Sequence, residues 1–391
     1  MSRTRRAALT TIALGMTLLP FAGTSTATAD AARDGARDGA TVTISGTAYE
    51  FNTVKNLLGG AVVHVVEDPS LTATVADDGT YALEVPDGAE VTPYITKDGY
   101  GTIHLQTFTT AGQDLVNVNF QTPTLKVMDL LALVLGIEKN EAGYPAQCVV
   151  VSTVSTKQVR GVSYQDFISW GAHGVAGVTA SISPQAGTRT YFNESVIPDK
   201  TVTETSKDGG VVWTGLPAGE YTLSAHGAGS TWPDVHVTCA DGRIVNANPP
   251  WGLNQQATTV PTKVKPTWTP RKGHAPRLTG LTVGKVPFQT LPEYAATHGS
   301  TIDFRGLVTA ACSDGCFAPV STHASLTKPT DLARLLGDSV KKLRPGRTLT
   351  VTLAVPGYDT RIDSWTIKPR RTPVRSTQCI PLGESVVRDA C

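Results

Sequence analysis

Apolar and polar residues alternate along most of this chain with a period of two, the spacing that turns one face of a β-strand to a core and the other to solvent. The pattern is clearest at 207–225, KDGGVVWTGLPAGEYTLSA. There Asp208-Gly209 makes a turn, Val211 and Trp213 mark a strand, Leu216-Pro217-Ala218-Gly219 makes a second turn, and Tyr221, Leu223 and Ala225 share a face of the next strand. Asp-Gly supplies a positive φ, and Pro-x-Gly a fixed φ beside a permissive corner, so the stretch predicts a hairpin. The same order of signals returns at 78–95, DGTYALEVPDGAEVTPYI, with corners at Asp78-Gly79 and Pro86-Asp87-Gly88.

Short strands are predicted around the first copy, through Val42, Ile44 and Thr47, over 61–66, over 104–108 and over 115–120. About seven such strands between Gly, Pro and Asp-Gly corners form the pattern of a small antiparallel sandwich. One stretch breaks the alternation. Leu125, Met128, Leu131 and Leu135 recur at helical spacing and predict an amphipathic helix over 125–138 that packs on a sheet. It falls short of the roughly 20 residues needed to cross a bilayer.

The runs ISGTAYE, GGAVVHVVE and VADDGTYALEVPDGAEVTPYITKDGY, covering residues 41–121, resemble carboxypeptidase regulatory-like domains, which belong to the transthyretin-like, carbohydrate-binding-like sandwiches. The likeness recurs more loosely over 148–248, where GVAGVTASISP replaces GGAVVHVVE and an insertion, GTRTYFNESVIPD, precedes the second cassette. The resemblance implies a seven-stranded fold and an accessory role in secreted proteins, and it implies no catalytic residue. The end of the chain, with KPRRTPVR and the Cys379–Pro381 pattern, resembles terminal β-rich modules of exported proteins from high-GC Gram-positive bacteria.

The expected fold class is therefore all-β: two transthyretin-like β-sandwich modules joined by a short helix, then a third β-rich, Ig-like domain. A length of 391 residues with 37 Gly and 25 Pro suits several turn-rich domains. Arg3, Arg5 and Arg6, the apolar run 7–22 and the small residues near Ala29 read as a secretory signal peptide over 1–29. A flexible lead-in (30–40), a first sandwich (41–122), the connecting helix and loop (123–145), a second sandwich with an insertion (146–253), a Pro-rich linker (254–277) and the C-terminal domain (278–391) follow. Export makes the even count of six Cys a disulfide framework, and position favours Cys148 with Cys239, Cys312 with Cys316, and Cys379 with Cys391.

Losing the three signal arginines takes the formal charge from +1 to −2, which gives no support to nucleic-acid binding. Gly-x-Ser-x-Gly and His-Glu-x-x-His are absent, as are the Tyr-Arg-Gly-Ser ending and the His-x-His pair of enzymes built on related sandwiches. A Ser-x-x-Lys at Ser325–Lys328 runs straight into Pro329 and lacks its partner motifs. The richest polar region is 164–199. His173 with Glu194 or Asp199 has the makings of a general base and its orienting carboxylate, with His104 and His226 as further imidazoles for a metal. The plainer reading of His173 is a turn residue bonded to backbone. Trp170, Tyr191 and Asn193 near the insertion, and Trp232 and Trp251 among Pro, Gly and Asn, are the ligand-binding candidates, since an exposed ring stacks on the apolar face of a sugar.

The expectation is a secreted, extracellular or wall-associated, non-enzymatic binding or adhesion protein for carbohydrate or another envelope component. No metal or cofactor is assigned. The alternative is a secreted hydrolase or metal-dependent enzyme with its site on the 164–200 insertion.

Overall fold

The computed structural model describes residues 40–391 except 162–163, 170–172, 249, 286–304, 314–315, 325, 327, 338–342, 356, 383 and 385. The expected signal peptide, nearly all of the lead-in, Trp170 and Ser325 lie outside the described residues. The chain is β-sandwich in class and nearly all β: strands run from Thr41 to Ile380 and are interrupted by a few short helices.

Both cassettes form strands, but neither closes as a hairpin. Thr80–Pro86 pairs with Thr41–Glu50, from Thr41↔Pro86 to Thr47↔Thr80, in a four-stranded sheet, whereas Pro93–Thr96, past the Pro-x-Gly corner, belongs to a different, nine-stranded sheet. In the second copy Gly210–Leu216 lies in the nine-stranded sheet, and Gly219–Gly227 pairs with Val178–Ser183 and Val235–Cys239 in another four-stranded one. The corner therefore carries the chain across a core, from one layer of a sandwich to the other. The reason is burial. Val211 and Trp213 on one side of the corner and Tyr221, Leu223 and Ala225 on the other all enter one core, and two strands can aim both sets inward only from facing sheets. The Asp-Gly turns form as expected: Asp78 Oδ1 accepts from Thr80 N at 3.0 Å, Asp208 Oδ2 accepts from Gly210 N at 3.1 Å, and Gly79 and Gly209 hold φ of 78° and 77°.

The two copies cross in opposite directions relative to the nine-stranded sheet, and this sheet is shared. Val62–Val65, Thr72–Thr74, Pro93–Thr96 and Ile103–His104 come from the first sandwich. Cys148–Thr153, Thr188–Phe192, Pro198–Asp199, Gly210–Leu216 and Ile244–Ala247 come from the second. The seam is a parallel pairing of Ile103–His104 with Ile244–Ala247, at His104↔Val245. On one face Val63, Ile95 and Ile103 enter the first core, with Ile244 packed against it. On the other face Val150, Val211, Trp213 and Val245 enter the second core. The partner layers thus cover opposite faces of the common sheet. Each module leaves half a face without a partner sheet. On the first module that half carries a cross-strand stack, His64–Tyr94–His104, with ring centroids 4.8 and 5.0 Å apart.

A third core gathers residues Val260 to Trp365 around the sheet of Gly306–Cys312, Val320–Ala324, Thr348–Ala354, Thr360–Thr366 and Val374–Ile380. Val264–Arg271, read from sequence as part of a Pro-rich linker, is a strand paired with His274–Val283. It lies at the edge of its sheet, a place where a strand tolerates proline, and Pro270 falls at a register shift between Thr269 and Arg271. The short helix Ala333–Leu336 follows Asp331, whose carboxylate accepts from Ala333 N at 2.8 Å. Asp363 is fully buried. Burial acts to raise its pKa, but hydrogen bonds from Arg361, Arg375 and Thr377 and the charge of Arg361 outweigh it and hold the carboxyl below its ordinary value.

Disulfides join Cys148 to Cys239, Cys312 to Cys316 and Cys379 to Cys391. The first ties the shared sheet to the second module's other layer across 91 residues, and both its cysteines are buried. Replacing Cys148 and Cys239 together by Ala is expected to lower unfolding stability by about 2–5 kcal/mol, measured by urea titration monitored through Trp fluorescence.

Candidate functional site

The open half-face of the second module is roofed by the Leu125–Leu135 helix. Thr124 caps its start, with Oγ1 accepting from Val127 N at 3.4 Å, and Gly136, at φ 70°, closes its end by donating to Ala132 and Leu133 carbonyls. Met128 and Ala132 are buried on the inner side. Met128 rests directly on backbone, since a Cβ on Gly101 would lie 1.9 Å from its Sδ. Outside, Leu130, Leu133 and Val134 remain 60%, 79% and 51% exposed, so the helix is apolar on both sides.

Between helix and sheet lies a cavity of about 450 Å³. Its floor follows from strand register. Val149, Val151 and Thr153 alternate with the core-facing Cys148 and Val150, and they stand beside Ile244, Asn246, Val212 and Gly210 on neighbouring strands. The roof is Met128, Leu131, Ala132 and Leu135. One end is aliphatic, with Val149, Ile244, Ile137 and Pro145. Along the strand direction the floor becomes polar, through Asn246 to Thr153 and Asn248, whose side chains hydrogen-bond at 3.1 Å, and then Asp208 and His173.

His173 and Asp208 reach this end by one local contact. Gly174 packs against the Asp208-Gly209 corner so closely that a Cβ would lie 2.3 Å from the Asp208 carbonyl. Burial pushes the Asp208 carboxyl up, opposed by the Gly210 N–H it accepts from. Burial brings His173 down to about 4, so its imidazole is neutral at neutral pH; its ring lies 4.9 Å from Phe167. Among the described residues, two buried polar atoms on the cavity wall, His173 Nδ1 and Asn246 Oδ1, have no hydrogen-bond partner.

Most of the residues singled out from sequence are used elsewhere. Glu194 is exposed, 3.6 Å from Lys207, and Asp199 holds Thr201 N and Oγ1 at 2.9 and 2.6 Å; neither lines the cavity with His173. Asn193 Oδ1 accepts from Ser195 N and Ile197 N and so shapes its own turn. Tyr191, 2% exposed, accepts from Ala180 N through its hydroxyl, and Trp232, 4% exposed, sits in the second core; neither ring is at the surface as the stacking reading requires. Trp251 donates Nε1–H to Val116 O at 3.0 Å, meets Phe108 edge-on and lies under the Arg160 guanidinium, 4.0 Å away. It is a joint between modules. His226 is exposed and His104 belongs to the ring stack. Among the described residues no group of three or more His, Cys, Asp and Glu side chains is placed to hold a metal ion, and no helix is long and apolar enough to cross a membrane.

Asp208, Thr153, Asn246 and Asn248 were not candidates from sequence. Thr153 and Asn246 stand at alternate strand positions on the face opposite the core residues, and Asn248 and Asp208 continue that alternation just beyond the ends of Ile244–Ala247 and Gly210–Leu216. Reading it requires knowing that this face is covered.

No family model matches the chain, and no curated protein matches it. Among solved structures, the TIE protein of Bacillus anthracis is 12% identical over 85% of this chain and 48% of that one, with a TM-score of 0.17. The chain thus spans about half the length of that neighbour. A streptococcal ancillary pilin is 11% identical over 86% of this chain and 95% of its own, TM-score 0.18. A family CBM26 module of Eubacterium rectale Amy13K, solved with maltoheptaose, is 13% identical over 55% and 93%, TM-score 0.18. At these scores the likenesses carry no argument about this chain's site.

Burial also dictates a pH response. His104 is held down to about 3 by burial and by the Arg243 charge, and His173 to about 4, whereas both protonate near pH 6.5 in an unfolded chain. A depressed folded pKa contributes stability that is complete above about pH 6.5 and is lost as pH falls toward the folded values. The melting temperature is therefore expected to drop between pH 7 and pH 4.5, and to drop less in the His104→Gln/His173→Gln variant, as read by scanning calorimetry.

Proposed function

We propose that this is a secreted, non-enzymatic binding protein of the cell envelope, and that its ligand occupies the cavity between the Leu125–Leu135 helix and the shared sheet. The observation that carries this reading is the cavity itself: about 450 Å³, mostly apolar, and ending in the unpartnered Asn246 Oδ1 and His173 Nδ1. Volumes of roughly 300–1,000 Å³ with a few convergent polar groups are typical of small-ligand sites. An unpartnered buried polar atom costs free energy that a ligand recovers.

The amino-terminal signal pattern and three disulfides support export, and the resemblance of residues 41–121 to carboxypeptidase regulatory-like domains supports an accessory role. Carbohydrate or another envelope component remains the ligand class. The hydrolase reading gains nothing from the geometry, because the carboxylates it needs, Glu194 and Asp199, hold their own turns and a surface lysine.

Protein isolated from the medium of an exporting host, unfolded in organic solvent and analysed by mass spectrometry, is expected to release a small molecule in near-stoichiometric amount. Val151→Trp, which fills the cavity floor, is expected to arrive empty, and Glu194→Ala/Asp199→Ala to arrive loaded. Equal loading of wild type and Val151→Trp would overturn the assignment.

A further inference from the structure

The cavity is graded along its length, and the grading describes a molecule. Its aliphatic end offers Val149, Ile244, Leu135 and Ile137, and Lys139, bridged through its backbone to Pro145 there, has its charge taken by Asp129. Surface of this kind favours a flexible hydrocarbon body, because removing apolar area from water is non-directional and requires only fit.

The polar end has a definite sense. Among the described residues Asn246 Oδ1 is a buried acceptor with no donor, and Asp208 presents a carboxylate whose Oδ2 accepts from Gly210 N. His173 Nδ1 is also open, and Thr153 Oγ1 donates to Asn248 Oδ1, which leaves the Asn248 amide N–H groups for another partner. Amide N–H donors and open acceptors thus stand side by side, and a hydroxyl, which both donates and accepts, suits that mixture. The one cationic side chain on the wall, Lys139, is ion-paired with Asp129. An anionic head would find no free counter-charge there and would face the Asp208 carboxylate.

We infer that the cavity holds a single-chain amphiphile with an alkyl or acyl body against the Val149–Ile244 end and a neutral, hydroxyl-bearing head, such as a sugar, at Asn246, Asp208 and His173. This rests on the proposed binding function and narrows its ligand to a glycolipid-like molecule. Burial keeps His173 neutral at neutral pH, which agrees with a neutral head. The apolar outer side of the roofing helix, Leu130, Leu133 and Val134, leaves apolar surface next to the site.

Titration calorimetry on the full exported protein, first stripped by refolding, tests this with three probes of equal chain length and with maltose. The probes are n-dodecyl β-D-maltoside, sodium dodecanoate and dodecyltrimethylammonium bromide, each below its micelle concentration. The maltoside is expected to bind one to one and tightest, and maltose at least about tenfold more weakly. Asn246→Leu removes the open acceptor without loss of bulk; it is expected to weaken the maltoside about tenfold while the melting temperature holds or rises. That opposition of affinity and stability is not expected of a residue with a purely structural role. Val151→Trp, or Ala132→Phe on the roof should the first fail to fold, is expected to abolish binding.

Tighter binding of the dodecanoate or the ammonium probe would overturn the inference, as would maltose binding as well as the maltoside or an unchanged affinity in Asn246→Leu. A compact polar molecule released from the natively purified protein would also sink the amphiphile while leaving the cavity-binding function standing. Equal loading of the filled variant would remove both.

Discussion

Two strand edges meet at His104 and Val245, and the rest of the architecture depends on that parallel pairing. An unpaired edge exposes a row of backbone donors and acceptors that tend to recruit another strand. Here the edge of the first sandwich is covered by that of the second, and nine strands form one sheet. Side contacts reinforce the seam. Thr107 N donates to His236 O at 2.8 Å, Thr107 and Thr238 hydroxyls meet at 3.0 Å, and Gly252 N donates to Gln106 Oε1 at 2.8 Å. Because the two cassettes cross in opposite senses, the seam also places the partner layers on opposite faces.

The roofing helix and its cavity follow from that arrangement. A sheet face without a partner layer must be covered or made polar, and the two uncovered halves take different solutions. The first module stacks His64, Tyr94 and His104 on its half. The second keeps Val149, Val151, Val212 and Ile244 on its half and takes the Leu125–Leu135 helix over them, incompletely packed. A cavity beside close-packed cores forfeits dispersion contacts, and leaving Asn246 and His173 unpartnered adds to the cost. Binding is the account under which both features have a use.

The segment between Cys148–Thr153 and Val178–Ser183 has a different task from the one its polar sequence suggested. Tyr164 donates its hydroxyl to Val54 O at 2.7 Å and packs 5.1 Å from Tyr49, which fastens the segment to the first module. Lys157 lies 4.2 Å over the Tyr358 ring, and Gln158 fills the space above Gly357, which fastens it to the third core's residues. Arg160 is held down to about 10 by burial, opposed by the Glu384 charge, while it covers Trp251. Polar and aromatic residues of this segment are thus used largely in holding modules together, and among the residues singled out from sequence His173 is one that lines the cavity.

Local chemistry was legible in the chain. Period-two alternation, the Asp-Gly turns, the helix expected over 125–138 and an even set of cysteines each depend on residues close in sequence or on counting; strand, turn and disulfides are present in the structure, and the helix forms over Leu125–Leu135, ended early by Gly136. What alternation does not contain is which sheet a strand joins. A Pro-x-Gly corner followed by a second alternating strand is the same string whether the chain folds back as a hairpin or crosses a core. Only the competition of two core-facing sets for one interior decides, and it decided for the crossing. The same limit hid Asp208, Asn246 and Asn248. In sequence they read as turn and solvent-face residues. They became the wall of a cavity only when two edges paired and a helix from between the modules closed over the face they occupy.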